Sequence, residues 1–250
     1  MNHHSMTAPT TRTAALSGSA AAALLALSAS HALAGGSDIA ITNIGGKVVT
    51  GTGDHTFYPN EFEFPERVFG ADLLEQGGFV FTDEPGWLGP FDNVGEGFAP
   101  GSSLGFNIRR ALRSWTGDEF FAGPAPEHMR LYDSGPGTNQ VFSPPTDVLV
   151  PGFAVIADAN VHAAGGFDEH PFYELTTNTP GIYLLELEIW SSDPGVATSD
   201  PIWIVFNYGL SEPEHEEAIE WTEANLVPAP GALALLAGAG LLSGRRRRSA

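Results

Sequence analysis

The sequence predicts an all-β fold: a two-sheet β-sandwich, Ig-like or jelly-roll-like, with one short C-terminal helix. Composition is the first observation behind this. Hydrophobic residues make up 42% and charged residues 16% of 250, with 30 Gly and 19 Pro. That balance suits many short elements joined by tight turns, and it is too apolar for a disordered chain. The second observation is Gly181-Ile-Tyr-Leu-Leu-Glu-Leu-Glu-Ile-Trp190, the longest run that alternates as a half-buried strand requires. The third is that only the stretch after Ser211 carries a convincing start signal for a helix of the folded domain.

Taken in order, Ile39–Asn43 and Lys47–Thr50 flank Gly45-Gly46 and predict an opening hairpin. Residues 51–100 scatter phenylalanines from Phe57 to Phe98 among Gly, Pro and Asp, which predicts short strands and long loops anchored by buried rings. Leu104, Phe106 and Ile108 alternate cleanly and predict a core strand, followed by a bend before Leu112. Glu127–Asp133 is a further strand candidate. Val148–Ile156 is broken by Pro151-Gly152 and is either two strands or one bulged edge strand. Phe172–Leu175, Ile182–Trp190 and Ile202–Phe206 complete the strands. Along the second of these, Tyr183, Leu185, Leu187 and Ile189 share a face that meets the core, while Glu186 and Glu188 on the other face are expected to reach water. Ser211 and Glu214 are spaced as a capping box, predicting a helix over Glu212–Ala224 with His215 exposed on its acidic side.

Both chain ends predict processing. Residues 1–34 have the layout of a secretory signal peptide: a weakly basic start with Arg12, the apolar run Ala20–Leu27, and small residues Ala32 and Ala34 before the cut. Signal peptidase is the implied partner. Residues 35–226 then form the folded domain, about 190 residues, the size of one sandwich. Residues 227–250 run from Pro228-Ala-Pro230 through the apolar Ala232–Leu242 to Arg245, Arg246, Arg247 and Arg248. The apolar part is shorter than the ~20 residues of a full span, and the basic cluster would stay in the cytoplasm. This tripartite tail resembles the PEP-CTERM sorting signal of exported bacterial proteins, with Pro-Ala-Pro in place of Pro-Glu-Pro. The resemblance implies a precursor transiently anchored in the membrane, cut by an exosortase-type membrane protease, and left at the cell-envelope surface or released.

The net charge is −19, and 11 Lys and Arg face 30 Asp and Glu. Five of the basic residues lie in the terminal segments, so the domain holds six basic against 30 acidic residues, a net charge of −24. Such a surface repels phosphate backbones and argues against nucleic acid as a partner. Half of the domain's basic residues are Arg109, Arg110 and Arg113, whose expected role is pairing with carboxylates; a dedicated anion site is the alternative. There is no cysteine, which removes thiol catalysis and Cys-type zinc sites. The chain has no Gly-x-Ser-x-Gly, His-Glu-x-x-His, phosphate-loop or dinucleotide motif, so no catalytic residue is assigned and the protein is expected not to be an enzyme. Acid pairs such as Asp118-Glu119 or Glu186 with Glu188 have no spacing that marks them for glycoside hydrolysis.

The remaining chemistry is metal binding. His162 and His170 flank a glycine-containing loop, with Asp168 as an oxygen donor and His128 as a further candidate. Imidazole plus carboxylate suits Zn2+ or Cu2+. The stretch holding Asp168-Glu169-His170, Pro180-Gly181-Ile-Tyr183 and Ser199-Asp-Pro-Ile-Trp-Ile-Val-Phe206 is similar to exported surface domains. These are the zinc-regulator-controlled PEP-CTERM proteins and the related choice-of-anchor M domains. That resemblance implies a β-sandwich associated with metal homeostasis; its expected His-x-His pair has Asp168 in the first position here. The leading expectation is a non-enzymatic surface or matrix protein of the envelope. A Zn2+- or Cu2+-binding protein using His170, Asp168, His162 and His128 is the first alternative. A carbohydrate-binding module for extracellular polysaccharide is the second, and it requires exposed Trp or Tyr.

Overall fold

The computed structural model describes residues 38–53, 62–89, 97–133, 139–159 and 166–228. The predicted signal peptide with Ala34, the tail from residue 229 with Pro230 and Arg245 to Arg248, and His162 lie outside the described residues; Pro228 lies within them and is exposed. Among the described residues no helix is long and apolar enough to cross a membrane.

The described residues form strands and one helix. The first seven strands are β1 (Asp38–Asn43), β2 (Val48–Gly53), β3 (Phe62–Glu63), β4 (Val68–Asp72), β5 (Leu74–Gln76), β6 (Phe79–Thr82) and β7 (Trp87–Leu88). Five more follow: β8 (Leu104–Ile108), β9 (Arg113–Ser114), β10 (Met129–Tyr132), β11 (Gln140–Phe142) and β12 (Val150–Ile156). The chain then runs through β13 (Asp168–Glu169), β14 (Phe172–Leu175), β15 (Gly181–Ser191) and β16 (Ile202–Tyr208) to α1 (Glu212–Leu226). The all-β class with one short helix is therefore as expected.

The largest sheet has the order β12-β8-β15-β16-β4, with β9 also beside β15. Strand β15 is its axis, antiparallel to β16 on one side and to β8 and β9 on the other. The alternation read in the sequence places its core-facing side chains correctly. Tyr183, Leu185, Leu187 and Ile189 enter the main core with Phe106 and Phe206. Ile182 and Leu184 enter a second cluster with Val68, Trp203, Val205, Ala218 and Ile219, under α1. The sheet is thus covered on both faces. Of the two alternatives for Val148–Ile156, the chain takes the bulged edge strand: β12 pairs with β8 and its register breaks twice after Pro151.

Two five-stranded sheets face the main core, in the orders β13-β7-β1-β2-β3 and β11-β10-β14-β6-β5. Ile39 and Ile41 from the first and Val80, Met129 and Tyr173 from the second belong to the same buried cluster as Phe106 and Leu187. Where one opposing sheet was expected, the layer is split in two, and the split has a local cause. Strand β14 pairs with β6 with Tyr173 opposite Thr82, while β13 pairs with β7 with Glu169 opposite Trp87. Between these pairs one chain spends one more residue than the other, so the ladder slips by a residue and its side-chain parity reverses. Pro85 and Pro171 fall within the two linkers, where neither can donate to a ladder. The opening hairpin closes β1 on β2 through Gly45-Gly46, both at positive φ (61° and 75°), and Ile44 and Lys47 exchange backbone bonds of 2.9 and 3.3 Å across them.

Two expectations on exposure are overturned. Glu186 does not reach water: its side chain is 5% exposed, because Arg109 Nε (2.8 Å), Arg110 Nε (2.7 Å) and Trp203 Nε1 (3.2 Å) all donate to it. His215 is fully buried, because α1 lies close on β4 and β16. Gly70 in β4 permits the approach, since a Cβ there would stand 2.7 Å from Ile219 Cδ1 and 3.4 Å from His215 Cε1. His215, Ala218, Ile219 and Thr222 make the buried face at helical spacing. The helix begins as expected, with Ser211 N and Oγ both donating to Glu214 Oε2 (3.2 and 2.6 Å).

Candidate functional site

The seam between the two smaller sheets gathers the chemistry-bearing residues. Asp38 opens β1, Asp83 and Glu84 lie in the β6–β7 linker, and Asp168 and His170 border the β13–β14 linker. Parallel pairing of β1 with β7 and antiparallel pairing of β13 with β7 bring these three segments side by side. The floor is apolar: Trp87 and Tyr173 are fully buried, and the Tyr173 hydroxyl donates to Pro85 O at 3.3 Å. Burial pushes the Tyr173 phenol up, so it stays protonated.

His170 sits at the centre. Its Nδ1 is 3.0 Å from Asp83 O and its Nε2 is 3.1 Å from Asp168 Oδ1. Glu84 Oε1 lies 3.8 Å from Nδ1. Asp38, Glu84 and His170 each bring a ligand-type atom within 4.8 Å of the others. A carbonyl oxygen only accepts, so Nδ1 carries a proton; a carboxylate facing Nε2 favours a proton there as well. The geometry therefore selects the imidazolium. Burial pulls the His170 pKa down, but the Asp83 carbonyl and the charges of Asp38, Glu84 and Asp168 outweigh it and hold it above the ordinary value.

The carboxylates are arranged around one amide. Gly86 N donates to Asp38 Oδ1 (3.0 Å) and to Glu84 Oε2 (3.1 Å). Burial raises the Glu84 pKa first, and the charge of Asp38 adds to it. A side chain at position 86 would force its neighbours to shift: a Cβ would lie 2.5 Å from His170 Cε1 and 2.6 Å from Asp38 Oδ1. What the seam does chemically is hold a positive charge among three carboxylates and tie three separate segments together through it.

The metal candidates thus divide. Asp168 and His170 are together. His128 is elsewhere: its backbone carbonyl accepts from Thr176 N beyond the far end of β14, and its Nδ1 faces Ser143 O at 2.8 Å. Six residue steps of nearly extended chain lead from His170 to Thr176, roughly 20 Å. His162 lies outside the described residues. Asp38 and Glu84 were missed, because their approach to His170 depends on strand pairing across more than eighty residues of sequence.

Arg109, Arg110 and Arg113 meet carboxylates. Arg109 donates to Glu186 and to Glu188, Arg110 to Glu186, and Arg113 to both oxygens of Asp147 at 2.6 Å. Glu188 is also held by Asn107 Nδ2 at 3.0 Å. Among the described residues no tryptophan or tyrosine is exposed: Trp87 and Trp203 are buried, Trp115 and Trp221 pack on Phe120, and Trp190 Nε1 donates to Phe106 O. The exposed aromatic rings there include the phenylalanines Phe79, Phe121 and Phe142.

Comparison with known proteins found no family model that matches the chain and no curated sequence that matches it.

Proposed function

We propose that the protein is an exported, non-enzymatic component of the cell-envelope surface, whose acidic β-sandwich is a stable display or matrix domain. The observation that supports this most is the closed set of partners at the seam. Among the described residues there, Asp168 and His170 are each engaged by another group, so the His170 cluster works as a clamp between segments. The paired Arg109, Arg110, Glu186 and Glu188 support the same reading. Export and sorting rest on residues 1–34 and on the Pro228-to-Arg248 tail. The test is the intact mass and location of the processed protein. The expected product begins after Ala34, lacks Arg245 to Arg248, and is found at the surface; a cell-associated product that keeps both ends would overturn the proposal.

A second reading has an observation of its own. Asp38, Glu84 and His170 offer atoms close enough to share a divalent ion, with Asp168 at the other ring nitrogen. An ion such as Zn2+ or Cu2+ would have to displace the ring protons, and the Asp83 carbonyl would then face a nitrogen lone pair. Titration of chelator-treated protein with Zn2+ and Cu2+ decides between them. Stoichiometric binding abolished by His170→Ala would favour the ion, and binding indifferent to that change removes it from the seam.

A further inference from the structure

A second histidine–carboxylate group stands at the start of α1, and its hydrogen bonds do not close. The His215 side chain is 1% exposed. Its Nε2 lies 2.8 Å from Val205 O, which only accepts, so Nε2 carries a proton, and in the neutral ring Nδ1 presents a lone pair. Among the described residues Nδ1 is buried without a hydrogen-bond partner. Asp72 Oδ1 is 3.9 Å from it, beyond hydrogen-bond range. Asp72, Glu212 and His215 each offer one ligand atom, and the three atoms lie within 4.8 Å of one another.

We infer that Asp72, Glu212 and His215 bind one divalent transition-metal ion. The orphaned nitrogen is the decisive feature, since a buried acceptor left unpaired is costly and an ion of positive charge satisfies it. The reach is right: two atoms 3.9 Å apart can both contact an ion at the usual distance of about 2.1 Å. The supporting shell is present too. A ligating imidazole characteristically gives its other N–H to a carbonyl, as His215 does to Val205. Asp72 is steadied by Asn207 Nδ2 at 3.0 Å, and Asn207 in turn accepts from Leu210 N and donates to Leu210 O, each at 3.2 Å, in the turn that leads into the helix. Asp72 is 48% exposed in its side chain and Glu212 is exposed, so the ion has a path from solvent and keeps water in its remaining positions. One nitrogen and two carboxylates suit Zn2+ better than the all-oxygen shells of Mg2+ or Ca2+.

The site differs from the seam in residues and in location, so its test keeps the two apart. Full-length protein carrying His170→Gln, freed of metal with chelator, is titrated with Zn2+ by calorimetry. One ion is expected to bind, with affinity reduced at least tenfold by Asp72→Asn and by Glu212→Gln, both exposed near-isosteric changes that leave the core intact. The nitrogen spectrum of the ring adds a readout that stability does not move: Nδ1 of His215 shifts on adding Zn2+ while Nε2 stays protonated. Unchanged affinity in both carboxylate variants, or a His215 Nδ1 signal indifferent to Zn2+, overturns the inference and leaves a water bridging Nδ1 to Asp72. Loss of Zn2+ binding in His170→Gln alone, with Asp72 and Glu212 intact, overturns it equally.

Discussion

His170→Ala is the perturbation that reads the seam most directly, because pH gives its effect a sign. The imidazolium makes two hydrogen bonds, to Asp83 O and to Asp168 Oδ1. Bonds involving a charged group contribute ~1.5–3 kcal/mol each when sheltered. The side chains of His170 and Asp168 are 30% and 44% exposed. Solvent screening therefore brings each bond down to about 1 kcal/mol, and the variant should lose about 2 kcal/mol at pH 6. The folded pKa of His170 is raised above the ordinary value. The stabilisation is therefore complete below the unfolded value near ~6.5 and is lost as pH rises through the folded one. By pH 9 the neutral ring keeps only its bond to Asp83, so the cost of the variant falls to about 1 kcal/mol. Glu84 acts in the same direction, its raised pKa favouring the folded state at lower pH, and the His170 charge that opposes this rise is lost in the variant. The assay is urea unfolding of wild type and variant at pH 6, 7.5 and 9 in the presence of chelator. A difference between them that is flat, or that grows with pH, would refute the clamp. Growth with pH in added Zn2+ alone is the opposite signature, since a metal needs the unprotonated ring.

Four further changes test the architecture. Glu186→Ala strands Trp203 Nε1 and removes the acceptor of two arginines, so unfolding in urea should show a loss of about 2–4 kcal/mol; Glu188→Ala, whose side chain is 15% exposed, should cost about 1 kcal/mol, and equal costs would count against the burial argument. Gly86→Ala forces a methyl between His170 and Asp38, costing about 1–3 kcal/mol and flattening the pH dependence described above; a variant with wild-type pH behaviour would show that the cluster is not closed around Gly86. Phe106→Ala opens a cavity beneath Trp87 and Phe153 and should lower the stability by about 3–5 kcal/mol with an unchanged urea slope, which a shifted slope at constant midpoint would contradict.

Legibility in the sequence followed the range of the interactions. Strand β15, the Gly45-Gly46 hairpin and the start of α1 rest on alternation, turn chemistry and capping within a dozen residues, and each is where those local rules place it. The split of the opposing layer was not legible, because it depends on a one-residue slip between β6–β7 and β13–β14, segments more than eighty positions apart. Glu186 looked solvent-facing by parity alone; only the pairing of β15 with β8 and β16 brings Arg109 and Trp203 to it.

The two histidine groups carry the same lesson into function. Asp168 and His170 are two residues apart, so the sequence displays them as a motif, yet their donors and acceptors are mutually satisfied in the fold. His215 sits among glutamates that make its helix look wholly solvent-facing, and its partner Asp72 comes from a strand over a hundred residues earlier. Its one signal in the sequence was the spacing of His215, Ala218, Ile219 and Thr222, a buried stripe that places a histidine against the sheet. Proximity in sequence thus identified the histidine whose hydrogen-bonding capacity is already filled. Counting donors and acceptors in three dimensions identifies the one whose capacity is still open, and an open buried acceptor beside two carboxylates is a stronger argument for a cation than a short motif.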